Sequence, residues 1–273
     1  MAMFSWAIAW TNAKIVGEYV SYHNLVFFRF LLGFLSLFPF IIIKNIQFPK
    51  LGDLKYILIP SILFFVYNIA FFKGTHHGLA GTGGVLVTTL NPLCTIIIMS
   101  CINRKIIKKE VLGILLGVIG SIIIMNLHKQ GISNIVNSNN LYFIICAITW
   151  GVMTVSVNYA QKRINPYLFI CLCYLFTMII SFPFTNMSEI NMSDLDLRFY
   201  INFFLVSIGA MSFGTSIYIY STPILGPAKV SVFIFSVPFV AMGTAYFVLN
   251  EPFTMNIAIG GFLSLLSIYI VNK

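Results

Sequence analysis

Two basic side chains, Lys14 and Arg29, fall inside stretches that are otherwise almost wholly apolar. An ionisable group at membrane depth is costly and reads first as functional. Two such cations suit an anion, above all the carboxylate of a small organic solute. Lys14 lies one helical turn after Trp10 and one before Glu18, so the three share a helix face. A second reading pairs Lys14 with Glu18 and lets Arg29 snorkel to the outer interface, and spacing alone leaves both open. Tyr67 with Asn68, and Tyr218 with Tyr220, are further polar-tipped groups in apolar runs and suit hydrogen bonding to a solute or to another helix. Trp10 and Trp150 suit a position facing the axis between two halves or an interfacial belt. Trp10, Asn12, Lys14, Arg29, Tyr67, Trp150 and Tyr218 form the candidate substrate-binding set. Pro92 and Pro238 each remove an N–H from a helical ladder and free a carbonyl about one turn upstream, which marks them as candidate kink or gating points.

Other chemistries lack their residues. The seven acids are Glu18, Asp53, Glu110, Glu189, Asp194, Asp196 and Glu251. None falls in the middle of an apolar run, which disfavours ion coupling through a buried carboxylate. No G-x-x-x-x-G-K-[ST], H-E-x-x-H or G-x-S-x-G motif is present, so no ATP motor, zinc protease or nucleophile elbow is implied. His76 and His77 read as a solvated outside turn. Cys94, Cys101, Cys146, Cys171 and Cys173 form no C-x-x-C and read as small apolar fillers. No cofactor and no metal are expected.

The elements that must hold these residues follow from composition. The 273 residues are 59% hydrophobic and 8% charged, with mean hydropathy +0.95. A soluble domain carries about 25% charged residues, so the surface itself faces lipid. The net charge of +9 belongs to membrane topology here rather than to nucleic acid. Apolar runs predict ten spans. The first five run Ala2–Tyr19, Leu25–Ile43, Tyr56–Phe72, Leu79–Ile102 and Val111–Leu127. The second five run Leu141–Ala160, Tyr167–Phe184, Phe199–Tyr220, Val230–Leu249 and Met255–Val271.

Ala7-Ile8-Ala9-Trp10 recurs as Ala147-Ile148-Thr149-Trp150, and Leu90-Asn91-Pro92-Leu93 is echoed by Ser236-Val237-Pro238-Phe239. The chain therefore reads as a duplicated five-helix unit. Because five is odd, the second copy must insert inverted. With the N-terminus inside, the inside loops hold Lys44, Lys50, Lys55, Arg104, Lys105, Lys108, Lys109, Lys162, Arg163, Lys229 and Lys273, against Lys73, Lys129 and Arg198 outside. That bias predicts both termini at the cytoplasmic face. The expected fold is an all-α polytopic membrane protein of two inverted five-helix repeats, N-in and C-in. Residues 1–128 and 140–273 form the repeats and 129–139 the linker.

Trp10-Thr11-Asn12-Ala13-Lys14 followed by Phe28-Arg29-Phe30-Leu31, and Gly78-Leu79-Ala80-Gly81-Thr82-Gly83 leading to Asn91-Pro92-Leu93, resemble EamA-type proteins of the drug/metabolite transporter superfamily. So do Tyr218 to Gly226, Pro238, Asn250-Glu251 and Gly260-Gly261 in the second half. The chain departs from the pattern at Lys105, where an acidic residue is usual, and at Thr11, where glycine is common. The resemblance implies ten helices in an inverted repeat, a central cavity, and alternating access for amino acids or other small metabolites without ATP. A small-molecule substrate and the lipid bilayer are the expected partners, the chain acting as a monomer or homodimer in a bacterial cytoplasmic (inner) membrane. The competing expectation is an intramembrane lipid-modifying enzyme or a flippase, which would need clustered His, Asp or Glu at one membrane face.

Overall fold

The structure, a computed structural model, describes residues 1–103, 108–124, 138–250 and 254–272. Among them there is no strand, and helices follow one another with short connections. In chain order these are α1 (Ala2–Val16), α2 (Tyr22–Ile43), α3 (Lys55–His77), α4 (Ala80–Asn103), α5 (Lys108–Ile124), α6 (Ser138–Ala160), α7 (Pro166–Ser181), α8 (Leu197–Leu225), α9 (Pro227–Leu249) and α10 (Met255–Asn272). Seven helical segments among the described residues are long and apolar enough to cross a bilayer: Tyr22–Ile43, Leu51–His77, Ala80–Asn103, Leu141–Ala160, Pro166–Phe184, Leu197–Leu225 and Pro227–Leu249. Val111–Ile123 and Ala258–Val271 are shorter apolar helices, and α1 has 15 residues. Their outer faces are apolar, as at Ile43 (79% exposed), Leu197 (73%) and Phe247 (82%). Such side chains are stable in lipid and not in water.

Local chemistry sets several boundaries. Asn165 caps α7 by accepting from the Tyr167 N–H, with Pro166 in the first turn. Asp196 caps α8 through the Phe199 N–H. Gly226, at φ +87°, turns the chain between α8 and α9, a conformation that a Cβ would oppose. Asn250 ends α9 in the left-handed region. α3 continues to His77, five residues beyond the expected Phe72, so His76 and His77 occupy its exposed last turn rather than a loop. α1 stops at Val16, before the expected Tyr19. The linker 129–139 and the contrasted positions Lys105 and Glu251 lie largely or wholly outside the described residues.

Two helices depart from α geometry. Leu205–Thr215 in the middle of α8 is a π-helix. In α9, a 3-10 stretch over Phe233–Ser236 joins two α segments, and Pro238 sits in the first turn of the second. Pro92, by contrast, lies inside an unbroken α4. The two prolines expected to act alike thus sit in different backbones.

Packing interleaves the halves. α1 lies against α8, α9 and α4, while α6 lies against α3 and α4. α2 packs on α7, α4 on α9, and α5 on α10. Small residues permit the closest approaches. A Cβ on Gly83 would come 2.5 Å from Phe143 and 3.0 Å from Trp10, and one on Gly84 would stand 2.9 Å from Ala241. Glycine there lets the α1 indole lie against α4.

Candidate functional site

A cavity of about 40 Å³ lies where α1, α2, α3, α4, α6, α8 and α9 meet. It exceeds the roughly 10–15 Å³ that one water needs and falls far short of the roughly 300–1,000 Å³ of an open ligand site. The cavity is narrow in this conformation.

Trp6 and Trp10 contribute to the wall from successive turns of α1, Arg29 from α2, and Phe64, Tyr67, Asn68 and Phe71 from α3. Thr88 and Asn91 contribute from α4, Trp150 from α6, and Ala210, Met211 and Thr215 from the π segment of α8. The chain has three tryptophans, and all three are in this wall. The rings hold one another. Trp6 meets Trp150 edge-on with centroids 4.9 Å apart, Tyr67 lies 4.8 Å from Trp150, and Phe71 lies 4.7 Å from Trp10. Edge-to-face pairs of this kind add about 0.5–1.5 kcal/mol each beyond area burial.

Arg29 is 5% exposed, its head group packed between helices. Its Nε donates to Val206 O at 3.1 Å and its Nη1 to Asn68 Oδ1 at 2.5 Å. Its Cζ lies 5.1 Å from the Phe71 ring centroid and 5.4 Å from that of Phe72. No acidic side chain among the described residues is within ion-pair distance of it. A buried charge without a counter-charge carries several kcal/mol of desolvation cost. Two neutral acceptors and the aromatic faces offset part of that.

The indole Nε1 of Trp150, a residue 5% exposed, lies close to the Tyr218 hydroxyl but meets neither it nor any other acceptor at good hydrogen-bonding geometry. The corresponding atom of Trp6 donates to Ala210 O at 2.9 Å and to Thr215 Oγ1 at 3.3 Å. The wall thus holds a guanidinium with N–H groups beyond these two bonds and an indole whose N–H is buried without a well-aligned acceptor. Both are donors, so the arrangement suits an acceptor-rich anion.

Four of the seven candidate binding residues, Trp10, Arg29, Tyr67 and Trp150, line the cavity. Asn12, Lys14 and Tyr218 do not, for separate reasons. Asn12 is two residues from Trp10 and therefore about 200° around the helix; it is buried with its Nδ2 unpartnered. Lys14 shares the Trp10 face, but the cavity extends along that face towards Trp6. Lys14 reaches the α3–α4 connection, donating to Gly78 O at 3.4 Å. Glu18 lies 3.9 Å from Arg198 at the exposed end. Tyr218 supports the wall: its ring packs 4.9 Å from Trp6 and 5.9 Å from Trp150, and its hydroxyl shares a 3.0 Å hydrogen bond with Thr154. Pro92 and Pro238 do not line the cavity, although Asn91 and Val237, the residues before them, do. Trp6, which the duplication criterion passes over, is the main addition, and Asn68, read beside Tyr67 as a polar-tipped group, lines the cavity with it.

Comparison with known proteins agrees with this architecture. The sequence profile of the EamA-like transporter family matches residues 1–126 and again residues 137–273. No curated protein matches the chain. A solved structure described only as a crystal structure of protein superposes with a TM-score of 0.75 at 15% identity, covering 98% of this chain and 94% of the other. At that identity the likeness establishes the fold. The chain belongs to the EamA-like transporter family, a group of transporters in the drug/metabolite transporter superfamily, and is an integral, multi-pass membrane protein.

Proposed function

From that membership we propose that the protein is a secondary, ATP-independent transporter of a small carboxylate-bearing organic metabolite, such as an amino acid or a related acid. It works by alternating access through the cavity between two inverted five-helix repeats, with both termini at the cytoplasmic face of a bacterial inner membrane. One observation carries the substrate class: Arg29 is buried in the cavity wall with neutral partners only, beside the unpaired N–H of Trp150. A carboxylate brings both the acceptors and the compensating charge. The packing supports the inverted repeat. Exchanging each helix with the one five places later turns the α1–α8 and α1–α9 contacts into α6–α3 and α6–α4, and maps α2–α7, α4–α9 and α5–α10 onto themselves. A two-fold axis between the repeats generates that pattern, and an odd number of helices per repeat sets that axis in the membrane plane. Lys14, outside the cavity on one of its approaches, is placed to attract an anion before it is occluded.

Metabolite profiling of cells with and without the gene selects the solutes, and the purified protein is then tested for their uptake into proteoliposomes. Uptake of a carboxylate that drops at least about tenfold in Arg29→Gln, the order expected for one charge-assisted hydrogen bond, is the expected result. Uptake indifferent to Arg29→Gln overturns the reading. A change confined to lipids would favour a flippase or a lipid-modifying enzyme instead.

A further inference from the structure

We propose that Asn68 sets the charge of the central cavity and thereby selects anionic over neutral solutes. The inference rests on the carboxylate reading given above. Asn68 is 2% exposed. Its Nδ2 donates to Phe64 O, one turn back in α3, at 2.9 Å, and its Oδ1 accepts from Arg29 Nη1 at 2.5 Å. The Phe64 carbonyl can only accept, so the amide is oriented with its oxygen towards the guanidinium. Val206 O fixes the Nε side. A guanidinium has five N–H donors and these two bonds use two, leaving donors for a bound solute.

The choice of an amide here has a chemical consequence. Aspartate has nearly the same shape and would make a shorter, stronger bond to Arg29. It would also cancel the charge, and a carboxylate solute would then meet a neutral pair and a repelling oxygen. Asparagine supplies the aiming bond without the neutralisation. The remaining polar groups of the wall, among them Thr88, Asn91, Thr215 and the tyrosine Tyr67, are uncharged at neutral pH. No second cation or acid among the lining residues competes with this setting. Asn68 is thus a positioning residue: it acts on the solute through Arg29.

All three tryptophans line this one cavity, so intrinsic fluorescence of the full chain in detergent reports on it directly. Two measurements are made on the wild type, Asn68→Asp and Asn68→Ala. One is quenching by iodide against caesium, and the other is titration with propionate against propionamide. With each quenching constant referred to that of free N-acetyltryptophanamide, the wild type is expected to favour iodide and to prefer propionate. Asn68→Asp should lose the iodide preference and weaken propionate by at least about tenfold, the order of one charged hydrogen bond, while its thermal midpoint holds or rises. Asn68→Ala removes the aiming bond and keeps the charge, so it should retain the iodide preference. If Asn68→Asp does not assemble, Asn68→Glu brings the same charge on a longer stem.

Propionate binding equally to wild type and Asn68→Asp overturns the assignment of Asn68 and leaves the carboxylate reading standing. An iodide preference that vanishes in Asn68→Asp, with no propionate response in the wild type, does the reverse. A wild type without iodide preference overturns the proposal outright.

Discussion

Trp6 and Trp150 form a matched pair of indoles whose truncation to phenylalanine separates stability from binding. Both substitutions delete the same atoms, from a buried position at Trp150 and a half-buried one at Trp6, so Trp150→Phe gives up more packing and the N–H terms work against that difference. Trp6→Phe gives up the bonds to Ala210 O and Thr215 Oγ1, and Ala210 O keeps the Thr215 hydroxyl as donor at 3.1 Å. The net cost is therefore about 1 kcal/mol. Trp150→Phe removes a buried donor that is poorly aligned to the nearby Tyr218 hydroxyl and to every other acceptor, which relieves a penalty of about 1 kcal/mol. The N–H terms alone then place Trp6→Phe about 2 kcal/mol below Trp150→Phe. At roughly 2–4 °C per kcal/mol for a chain of this order of length, that is about 4–8 °C in apparent Tm at a fixed scan rate, less the extra packing that Trp150→Phe gives up. Carboxylate binding should rank them the other way. Trp150→Phe loses a donor to a charged acceptor, about 1.5–3 kcal/mol or tenfold and more in Kd, while Trp6→Phe changes Kd by a few-fold. Thermal unfolding in detergent and radioligand binding measure both quantities on the same preparations. If Trp150→Phe destabilises the protein as much as Trp6→Phe, the Trp150 N–H is satisfied in the native state. The reasoning from a free donor then fails.

The glycines facing Trp10 give a steric test. Gly83→Ala places a Cβ 2.5 Å from Phe143 and should cost about 1–3 kcal/mol by overpacking, whereas Gly209→Ala enters open space and should be neutral or stabilising; equal Tm changes would contradict this. Asp196 predicts an acid-labile contact: the Phe199 N–H first, then the Tyr19 hydroxyl, hold its carboxyl below the ordinary 3.8. A depressed folded-state value means a stabilisation present above pH 3.8 and lost as the pH falls below it, so Tm should drop on acidification more in the wild type than in Asp196→Asn. For topology, in a background with the five native cysteines replaced, Lys50→Cys should react with an impermeant maleimide only after permeabilisation, and Ser188→Cys in intact cells. The opposite pattern would invert the proposed orientation.

Much of the helical architecture is legible in the sequence because lipid imposes a simple rule: long apolar runs separated by polar turns. The seven segments long enough to span all coincide with expected runs, give or take several residues at their ends. What composition does not reveal is departure from α geometry. The π segment Leu205–Thr215 carries no local signal. Three of its carbonyls, Val206 O, Ala210 O and Met211 O, accept from Arg29 on α2, Trp6 on α1 and Tyr174 on α7. Those bonds are tertiary, so the widened turn is written in three other helices. The same holds for Pro238, whose setting depends on the 3-10 stretch before it, while Pro92 is carried by a continuous helix.

The site was legible in part for a related reason. Repetition singles out what the halves share, and Trp10 and Trp150 do line one cavity. An offset of 140 residues, which sets Trp10 against Trp150, also sets Trp6 against Cys146 and Arg29 against Phe169. Trp6 and Arg29 are therefore features of one half alone. Arg29 could be found because a charge among apolar residues is conspicuous, and Asn68 because its amide interrupts an apolar run, whereas Trp6 is an ordinary residue of an apolar helix. A small organic acid has no two-fold axis, so a pseudo-symmetric shell can supply its apolar walls in matched pairs but not its polar anchor. The anchor must come from a position where one repeat has diverged. Under the inverted-repeat reading, Arg29 and Asn68, both in the first half, meet that requirement, and neither can be recognised from the repeat that frames them.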